Sequence, residues 1–314
     1  MKILIIDQMH PSIVELLEKD GHMVMNAPQI TREELKNQIH QFEGLVIRSK
    51  TPMDRDLLQH ASQLRFIARA GAGLDQIDLE YLEERGIQLF HAAEGNRDAV
   101  AEHAIGGLLA LFNHIPQGDA QVRKGIWDRE GNRGYELKGK TVGIMGFGNM
   151  GKAFAKRLRG FGVEVLAYDK YKLDFGTNRV QEVIWEKLKA EADVLSIHVP
   201  LTDETRDFFT LEELASFAKP FWLINTARGE VISFKTLNEA LDKGILKGAV
   251  LDVLENEKFK NFSPSQKVEF EKLAGRENVI FSPHVAGWTF ESYEKINQVL
   301  AKKIRKAFGK VGQA

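Results

Sequence analysis

The sequence predicts an α/β protein with two doubly wound, parallel β-sheets. Short apolar runs alternate with stretches of helical periodicity along almost the whole chain. A glycine-rich turn near the middle joins one apolar run to an amphipathic stretch, which is typical of a strand that leads into a helix. With 314 residues, the chain is long enough for two domains of ordinary size.

The first part of the chain supplies the strands of one sheet. Apolar runs predict strands at residues 3–6, 23–25, 45–47, 66–68 and 88–90. Pro11 suits the first turn of a helix, and Thr31 with Glu34 has the pattern of a capping box. Residues 98–112 are almost wholly apolar and predict a buried helix, whereas residues 114–138 predict an irregular stretch.

The later part of the chain repeats this alternation. Apolar runs predict a second, larger sheet from strands at residues 140–145, 163–167, 194–197, 221–224, 249–251 and 279–281. Residues 289–308 predict one long helix, which we expect to return to the first domain.

The turn after residue 145 has the spacing of a dinucleotide-binding motif, Gly146-Phe147-Gly148-Asn149-Met150-Gly151. The first glycine permits the tight turn, the second lets a pyrophosphate approach the backbone, and the third lets the helix lie close to the strand. The phosphates would then lie at a helix N-terminus, where free N–H groups attract anions. Ala153, Phe154, Leu158 and Phe161 repeat at helical spacing behind the turn.

Asp169 favours NAD over NADP. It follows Gly146 by 23 positions, close to the spacing at which a carboxylate meets the ribose diol. A carboxylate about 4 Å from a 2′-phosphate costs on the order of 4 kcal/mol per charge pair, which is nearly a thousandfold in affinity. Lys170 and Lys172 follow directly and would offset part of this repulsion, unless they are solvated loop residues.

Composition argues against several classes of partner. The net charge is −1 with acidic and basic residues interspersed, so the sequence predicts no nucleic-acid partner and no anionic membrane surface. No apolar run is long enough to cross a bilayer, and the N-terminal run is typical of a strand rather than a signal peptide. Cysteine is absent, which excludes disulfides and thiolate metal sites. We expect a cytoplasmic protein without a metal site.

Three ionisable residues follow three late strands: Arg228, Glu257 and His284. Ligands bind outside the carboxyl ends of strands in open α/β sheets, so these side chains are expected to face the cofactor. Histidine suits the removal of a hydroxyl proton while hydride leaves, and a carboxylate on its far nitrogen would stabilise the imidazolium. Arginine suits a substrate carboxylate and polarises the neighbouring carbonyl. Taken singly, each residue is as well explained by a structural or solvated role, and only their joint placement favours catalysis.

Several segments, in order along nearly the entire chain, resemble the NAD-dependent D-isomer-specific 2-hydroxyacid dehydrogenases, most closely their phosphoglycerate dehydrogenase-like branch. The segments are residues 46–51, 69–75, 96 with 99–103, the glycine-rich turn, 197–202, and those around Arg228, Glu257 and His284. The resemblance implies catalytic roles for these three residues. It also implies a Rossmann NAD-binding domain at residues 97–288, inserted into a smaller flavodoxin-like substrate-binding domain at residues 1–96 and 289–314.

The resemblance implies further site residues. Cofactor contacts are expected, besides the glycine-rich turn and Asp169, from His198, Val199, Pro200, Thr226, Ala227, Asp252 and Gly287. Substrate contacts are expected from Arg48, Ser49, Gly71, Ala72, Gly73 and Asn96, although ordinary turn residues are the alternative reading of this set. Of the cofactor set, His198 is expected to be a wall rather than a catalyst.

For two tryptophans, Trp127 and Trp288, the sequence leaves a functional role and a packing role open. Trp127 lies in the stretch that relatives use as an arm across a dimer interface, which implies a homodimer, with core packing as the alternative. Trp288 either walls the substrate pocket and restricts substrate size, or has a packing role. Relatives usually have proline after the catalytic glutamate, whereas Lys258 stands here, so the conformation of that loop is less predictable.

The expected activity is interconversion of a D-2-hydroxy acid and its 2-oxo acid with NAD, in a cleft between the two domains. 3-Phosphoglycerate is the first expected substrate, with Arg48 and Lys50 as phosphate contacts unless both are solvated. Glyoxylate, hydroxypyruvate or another small 2-oxo acid would use the same catalytic residues. The sequence ends soon after its last predicted helix, so we expect no regulatory C-terminal domain. A non-catalytic NADH-sensing interaction protein is the alternative from another class.

Overall fold

The computed structural model describes residues 1–309, and the chain folds into two compact units. Unit 1 consists of Met1–Arg97 together with the chain from Trp288 onward, and unit 2 is Asp98–Gly287. Among the described residues, no helix combines the length and the apolar character that a membrane crossing requires.

Unit 1 contains a five-stranded sheet. Its strands are β1 (Lys2–Ile5), β2 (Met23–Asn26), β3 (Gly44–Ile47), β4 (Phe66–Arg69) and β5 (Gln88–His91), in the order β2-β1-β3-β4-β5. All of these pairings are parallel. The order is that of flavodoxin-like sheets.

Helices cover both faces of this sheet. They are α1 (Ser12–Lys19), α2 (Arg32–Gln38), α3 (Arg55–Leu58), α4 (Leu79–Glu84) and α12 (Phe290–Phe308), with a 3₁₀ turn at Ile39–Gln41. Side chains of β1 alternate between two cores, because successive strand residues point to opposite faces. Ile3 and Ile5 pack with Leu300 of α12, whereas Leu4 packs with Leu35 of α2. The predicted capping box of Thr31 and Glu34 is present.

Unit 2 contains a seven-stranded parallel sheet. Its strands are β6 (Thr141–Met145), β7 (Glu164–Tyr168), β8 (Gln181–Glu182), β9 (Val194–Ile197), β10 (Phe221–Asn225), β11 (Leu246–Leu251) and β12 (Val279–Phe281). The order β12-β11-β10-β9-β6-β7-β8 extends the Rossmann arrangement. Strand order reverses between β6 and β9, which places a ligand site at the carboxyl ends of these two strands. The predicted α/β fold with two parallel sheets is therefore confirmed.

Helices accompany this sheet in unit 2, and all of them except the one at Ile115–Arg123 bury side chains. They are α6 (Ile115–Arg123), α7 (Asn149–Arg157), α8 (Trp185–Glu191), α9 (Leu211–Ala215), α10 (Phe234–Asp242) and α11 (Pro264–Ala274), with 3₁₀ turns at Leu158–Gly160, Gly229–Val231 and Phe259–Asn261. Val142 and Ile144 of β6 pack with Phe154 of α7 in one core. Leu195 and Ile197 of β9 pack with Leu188 of α8 in the other.

Two local predictions were wrong. The apolar helix was predicted to begin near residue 98, but α5 spans Ala93–Phe112 and therefore includes Asn96. Gly95 lets this first turn lie close to α12, since a Cβ there would lie 2.7 Å from the Ile296 backbone. The predicted irregular stretch contains α6, in which Pro116 occupies a first-turn position where its missing N–H costs nothing. None of the α6 side chains is buried, so this helix buries no apolar face of the kind on which the sequence prediction relied.

Candidate active site

The glycine-rich turn after β6 has the geometry of a phosphate cradle. Gly146 has a φ of +92°, and a Cβ on it would lie 2.6 Å from the carbonyl oxygen of His198. A Cβ on Gly151 would lie 2.1 Å from the carbonyl oxygen of Gly146, so only glycine lets α7 start this close to the turn. At Gly148, by contrast, the nearest atom is Lys172 Nζ at 3.7 Å, which leaves the backbone open to an approaching pyrophosphate.

Asp169 lies directly after β7 and is tied to this turn. Its carboxylate accepts hydrogen bonds from the backbone amides of Phe147 (2.8 Å) and Tyr171 (3.1 Å). The Asp169 side chain is only 11% exposed. Its orientation is therefore set before a ribose binds, and Oδ1, which accepts only from Tyr171, retains a lone pair for a hydroxyl donor.

The segment after β9 supplies a wall on the other side of the turn. His198 is half-buried, its Nε2 lies 2.9 Å from Ser196 Oγ, and desolvation of the ring lowers the pKa of His198 to about 3. The ring is therefore neutral at physiological pH and is not suited to proton transfer. Val199 belongs to the same wall, because a Cβ on Gly146 would lie 3.0 Å from Val199 Cγ1, and the exposed Pro200 follows it.

Thr226 and Asn96 each present a polar atom without an internal partner. The Thr226 hydroxyl, just after β10 in unit 2, is buried and has no hydrogen bond among the described residues. The same holds for Asn96 Oδ1 in the first turn of α5, in unit 1. Buried polar atoms normally have partners, so these two fit contacts with bound molecules. Together with the open backbone at Gly148, the Thr226 hydroxyl fits a dinucleotide in unit 2.

His284 and Glu257 form the ionisable centre of unit 2. His284 Nδ1 lies 2.9 Å from Glu257 Oε1 and 3.1 Å from Oε2, and both side chains are about half exposed. The hydrogen bond to Glu257 raises the pKa of His284 above its ordinary value, against the opposing effect of burial. Burial would raise the pKa of Glu257, but the hydrogen bond from His284 and the nearby positive charges outweigh it and lower that pKa.

Arg228 completes this group. Its charge lowers the pKa of both Glu257 and His284, so the guanidinium lies within electrostatic range of the pair. Arg228 Nη1 donates to the carbonyl of Ala227 (2.7 Å), while Asn225 donates to the carbonyl of Arg228 (2.9 Å). The structure therefore brings the three predicted catalytic side chains together within one unit.

Asp252 builds the turn that carries His284. Its buried carboxylate accepts hydrogen bonds from the amides of Val285 and Ala286 (both 2.9 Å) and from the Ser282 hydroxyl (2.5 Å). Its carbonyl accepts from the amide of His284 (2.8 Å). His284 has a left-handed φ of 54°, a conformation that costs a non-glycine residue about 1 kcal/mol and persists only where the surroundings hold it.

Ser282 and His103 were not among the predicted site residues. His103 Nε2 lies 2.8 Å from Ser282 Oγ and 3.6 Å from Asp252 Oδ1, so the turn is also tied to α5. Ser282 stands two positions before His284, and His103 lies in a segment that resembles the family. Neither position by itself indicates a hydrogen bond between them. Gly287 ends this turn at the last residue of unit 2.

Hydrogen bonds hold the loop around Glu257, although Lys258 follows this glutamate in place of the expected proline. Glu255 accepts hydrogen bonds from the Phe234 amide (2.6 Å) and from Gln266 Nε2 (2.8 Å). Asn256 Oδ1 accepts from the amide of Lys258 (2.9 Å). These bonds fix the loop on both sides of Glu257, so Lys258 in place of proline leaves the pairing with His284 intact.

The predicted substrate residues lie in unit 1. Gly71 has a φ of +143°, and the amides of Ala72 and Gly73 donate no hydrogen bond within residues 1–309. The guanidinium of Arg48 stacks 3.9 Å from the Trp288 ring, and burial lowers the pKa of Arg48. Ser49 is exposed next to it.

Lys50 differs from its predicted role as a phosphate contact. Its ammonium donates to the carbonyls of Pro28 (2.7 Å) and Ile30 (2.8 Å), so its hydrogen-bonding capacity is largely used within the fold. Lys50 makes these bonds because both carbonyls belong to the loop after β2, which lies beside Lys50.

Comparison with known proteins gives consistent matches. A family model described as "D-isomer specific 2-hydroxyacid dehydrogenase, NAD binding domain" matches residues 105–286. The chain is 36% identical to D-3-phosphoglycerate dehydrogenase of Methanocaldococcus jannaschii over 98% of this chain and 57% of that protein. It is 34% identical to hydroxypyruvate reductase of Thermotoga maritima over 96% of this chain and 97% of that protein.

Solved structures agree with these matches. D-Lactate dehydrogenase of Aquifex aeolicus, complexed with NAD and lactic acid, has a TM-score of 0.83 at 26% identity and covers 100% of this chain and 97% of its own. The chain spans just over half the length of the curated phosphoglycerate dehydrogenases that it matches. NAD is the cofactor that the matched domain binds.

Proposed function

The chain belongs to the family of D-isomer-specific 2-hydroxyacid dehydrogenases, and on that premise we propose that it interconverts a D-2-hydroxy acid and its 2-oxo acid with NAD. The observation that carries this proposal is the contact of His284 with Glu257 beside the charge of Arg228. An NADH sensor without catalysis has no need of this arrangement.

His284 is the proposed proton carrier. Because Nδ1 faces Glu257, the neutral ring holds its proton on Nδ1 and offers the lone pair of Nε2 to a substrate hydroxyl. Glu257 then stabilises the imidazolium that forms. In the reverse direction the charged imidazolium returns the proton to the carbonyl oxygen. Bound NAD supplies the hydride acceptor in this chemistry.

Arg228 and the turn at Gly71 are the proposed recognition groups. The fixed charge of Arg228 polarises a 2-oxo group and attracts the acid. In unit 1, the amides of Ala72 and Gly73 offer two donors to a carboxylate. Thr226, Ala227, Asp252 and Gly287 remain proposed contacts at the nicotinamide end, and Val199 and Pro200 at the adenosine end.

3-Phosphoglycerate is the first candidate substrate. Its support is the partly desolvated charge of Arg48 and the phosphoglycerate dehydrogenases among the relatives. Hydroxypyruvate or glyoxylate is the second candidate. A substrate without a phosphate needs no contact from Lys50, whose ammonium bonds two carbonyls of the chain. The near full-length match to a hydroxypyruvate reductase also favours this second candidate.

NADH oxidation against a panel of 2-oxo acids tests the function. The panel contains 3-phosphohydroxypyruvate, hydroxypyruvate, glyoxylate and a branched 2-oxo acid, and turnover of at least one is expected. NADH binding without turnover of any 2-oxo acid would favour the sensor and contradict the proposal.

Arg48→Ala separates the two substrate candidates. If Arg48 binds a phosphate, the substitution lowers kcat/KM for the phosphorylated acid by roughly tenfold to a hundredfold and leaves glyoxylate almost unchanged. Lys50→Ala is the matched control, because its ammonium already bonds Pro28 and Ile30. Equal losses on both acids would contradict a phosphate contact at Arg48.

A homodimer is the proposed assembly. Unit 2 exposes several large apolar side chains between α5 and β6: Ile115, Val122, Ile126, Trp127 and Tyr135. Trp127 is 80% exposed, so the alternative of core packing is wrong. Clustered exposed apolar residues mark interaction surfaces. Light scattering is expected to give twice the chain mass for the parent and a lower mass for Trp127→Ser; a monomeric parent would contradict the dimer.

The cytoplasmic location expected from the sequence also stays a proposal. Fractionation of cells that express the full chain tests it, with recovery in the cytosolic fraction as the expected result.

A further inference from the structure

Glu204 joins two loops at the carboxyl edge of the second sheet. Its carboxylate accepts a hydrogen bond from the Tyr171 hydroxyl (2.5 Å) and lies 2.8 Å from Lys170 Nζ. Lys170 and Tyr171 follow directly after Asp169 at the end of β7, whereas Glu204 lies in the turn after β9. Since β7 and β9 flank β6, Glu204 connects the loops on either side of the glycine-rich turn.

The position of Glu204 is set by its own turn. The Thr202 amide donates to Thr205 Oγ1 (2.8 Å), and the Thr205 hydroxyl donates to the carbonyl of Pro200 (2.7 Å). The amide of Thr205 also bonds the carbonyl of Thr202 (3.1 Å). These bonds hold the backbone of Glu204 next to the segment that forms the adenosine wall.

Both lysines that follow Asp169 are engaged by acidic groups. Lys170 is paired with Glu204, as described above. Lys172 Nζ lies 3.4 Å from Asp169 Oδ2 and donates to the carbonyl of Phe147 (3.3 Å). Lys172 therefore already offsets part of the charge of Asp169, whereas Lys170 is engaged by the carboxylate of Glu204.

We propose that Glu204 is a second determinant of cofactor choice, which disfavours a 2′-phosphorylated dinucleotide by neutralising Lys170 and adding a negative charge near Asp169. The inference rests on the proposed function only in that this edge must bind the adenosine half of a nicotinamide dinucleotide. Asp169 remains the nearer and stronger determinant, since its carboxylate is the one expected to meet the ribose diol.

The charge state of Glu204 supports this role. Its hydrogen bonds with Lys170 and Tyr171 lower the pKa of Glu204, so the carboxylate is ionised at neutral pH. Lys170 and Glu204 are both about half exposed, and exposed ion pairs are worth little to stability. Removing the negative charge is therefore expected to leave the fold intact and to change affinity several-fold rather than a thousandfold.

Direct binding titration of NADH and NADPH, without substrate, tests the inference on the full chain. Glu204→Gln keeps an acceptor for Tyr171 but removes the charge. We expect it to tighten NADPH binding by about threefold to tenfold, with NADH affinity changed less than about twofold. Raising the salt concentration to about 1 M is expected to remove most of this gain, because the Debye length then falls to about 3 Å.

Glu164→Gln is the matched control. Glu164 is an exposed residue at the amino end of β7, the strand that ends beside Asp169. Five residues of strand place its backbone about 16 Å from that of Asp169, well beyond a Debye length of about 8 Å. Glu164→Gln is expected to change neither affinity.

The outcomes separate the inference from the proposed function. An unchanged ratio of NADPH to NADH affinity in Glu204→Gln, or an equal change in Glu164→Gln, would overturn the inference while the dehydrogenase proposal stands. Failure of the parent protein to bind NADH would contradict the proposed function and the inference with it.

Discussion

The ionisation of His284 depends on the charges around it. Glu257 raises the pKa of His284, whereas burial and Arg228 lower it, and the net direction is upward. Below this raised pKa the ring is an acid suited to reduction of a 2-oxo acid, and above it the ring is a base suited to oxidation of a hydroxy acid. The same two residues therefore serve both directions of the reaction.

Replacement of Glu257 by glutamine is expected to move the pH dependence of turnover. Loss of the carboxylate lowers the pKa of His284, so reduction fails at a lower pH than in the parent and oxidation begins at a lower pH. We also expect kcat to fall by up to about 10²-fold, because the imidazolium loses its partner. Rate profiles in both directions measure this, with exposed Glu271→Gln as the control. An unshifted profile would contradict the pairing.

Asp252 makes a separate contribution to stability. Replacement by asparagine turns one acceptor oxygen into a donor that faces the amides of Val285 or Ala286. The expected loss in the free energy of unfolding is about 2–3 kcal/mol, the range for hydrogen bonds to a buried charged group. Urea unfolding without cofactor measures this, and exposed Asp203→Asn should be close to neutral. Equal stability of the two variants would contradict the role of Asp252.

At the scale of elements, the close connection from β6 to α7 limits which substitutions the glycine-rich turn tolerates. Gly151→Ala puts a Cβ 2.1 Å from the carbonyl oxygen of Gly146, so α7 must move away from the turn. NADH affinity is expected to fall at least tenfold, about 1.4 kcal/mol. Gly160→Ala is the control, since a Cβ there meets nothing within 4 Å. Binding titration compares the two, and equal affinities would show that the close approach is unnecessary.

Elements were predictable where burial imposes a pattern on the sequence. The strand and helix on either side of the glycine-rich turn were recognised because Val142, Ile144 and Phe154 are buried. The two-residue strand β8 was missed, since Gln181 and Glu182 show no apolar period. Helix α6 was missed for the same reason, because it buries no side chain. Short elements at a sheet edge or on the surface therefore cannot be predicted from the pattern of apolar residues.

For the whole molecule, topology indicates where the candidate site lies, whereas single residues taken alone do not. Alternation of strands and helices was sufficient to predict two parallel sheets, and the ends of late strands indicated Arg228, Glu257 and His284. Contacts made only by folding escaped prediction. Glu204 lies 34 positions beyond Lys170, and nothing in the sequence indicates their ion pair. The sequence also does not indicate the hydrogen bonds from Lys50 to the two carbonyls in the loop after β2.

Cofactor binding is expected to raise the stability of the whole chain. A ligand that binds only the folded state stabilises it by about 2.7 kcal/mol at a hundredfold excess over its Kd. NADH should therefore raise the Tm of the parent, and the increase should be smaller for Gly151→Ala at the same NADH concentration. Thermal unfolding followed by circular dichroism measures both. An equal increase for both proteins would indicate binding away from the glycine-rich turn.

Convergence of His284, Glu257 and Arg228 on the reacting centre is tested most directly by His284→Ala. The measurement is NADH oxidation with the best 2-oxo acid of the panel, beside NADH titration of the same protein. We predict turnover reduced by at least about 10²-fold with NADH affinity within about twofold of the parent. Turnover close to that of the parent, with the cofactor bound normally, would contradict the assignment of His284 as the proton carrier.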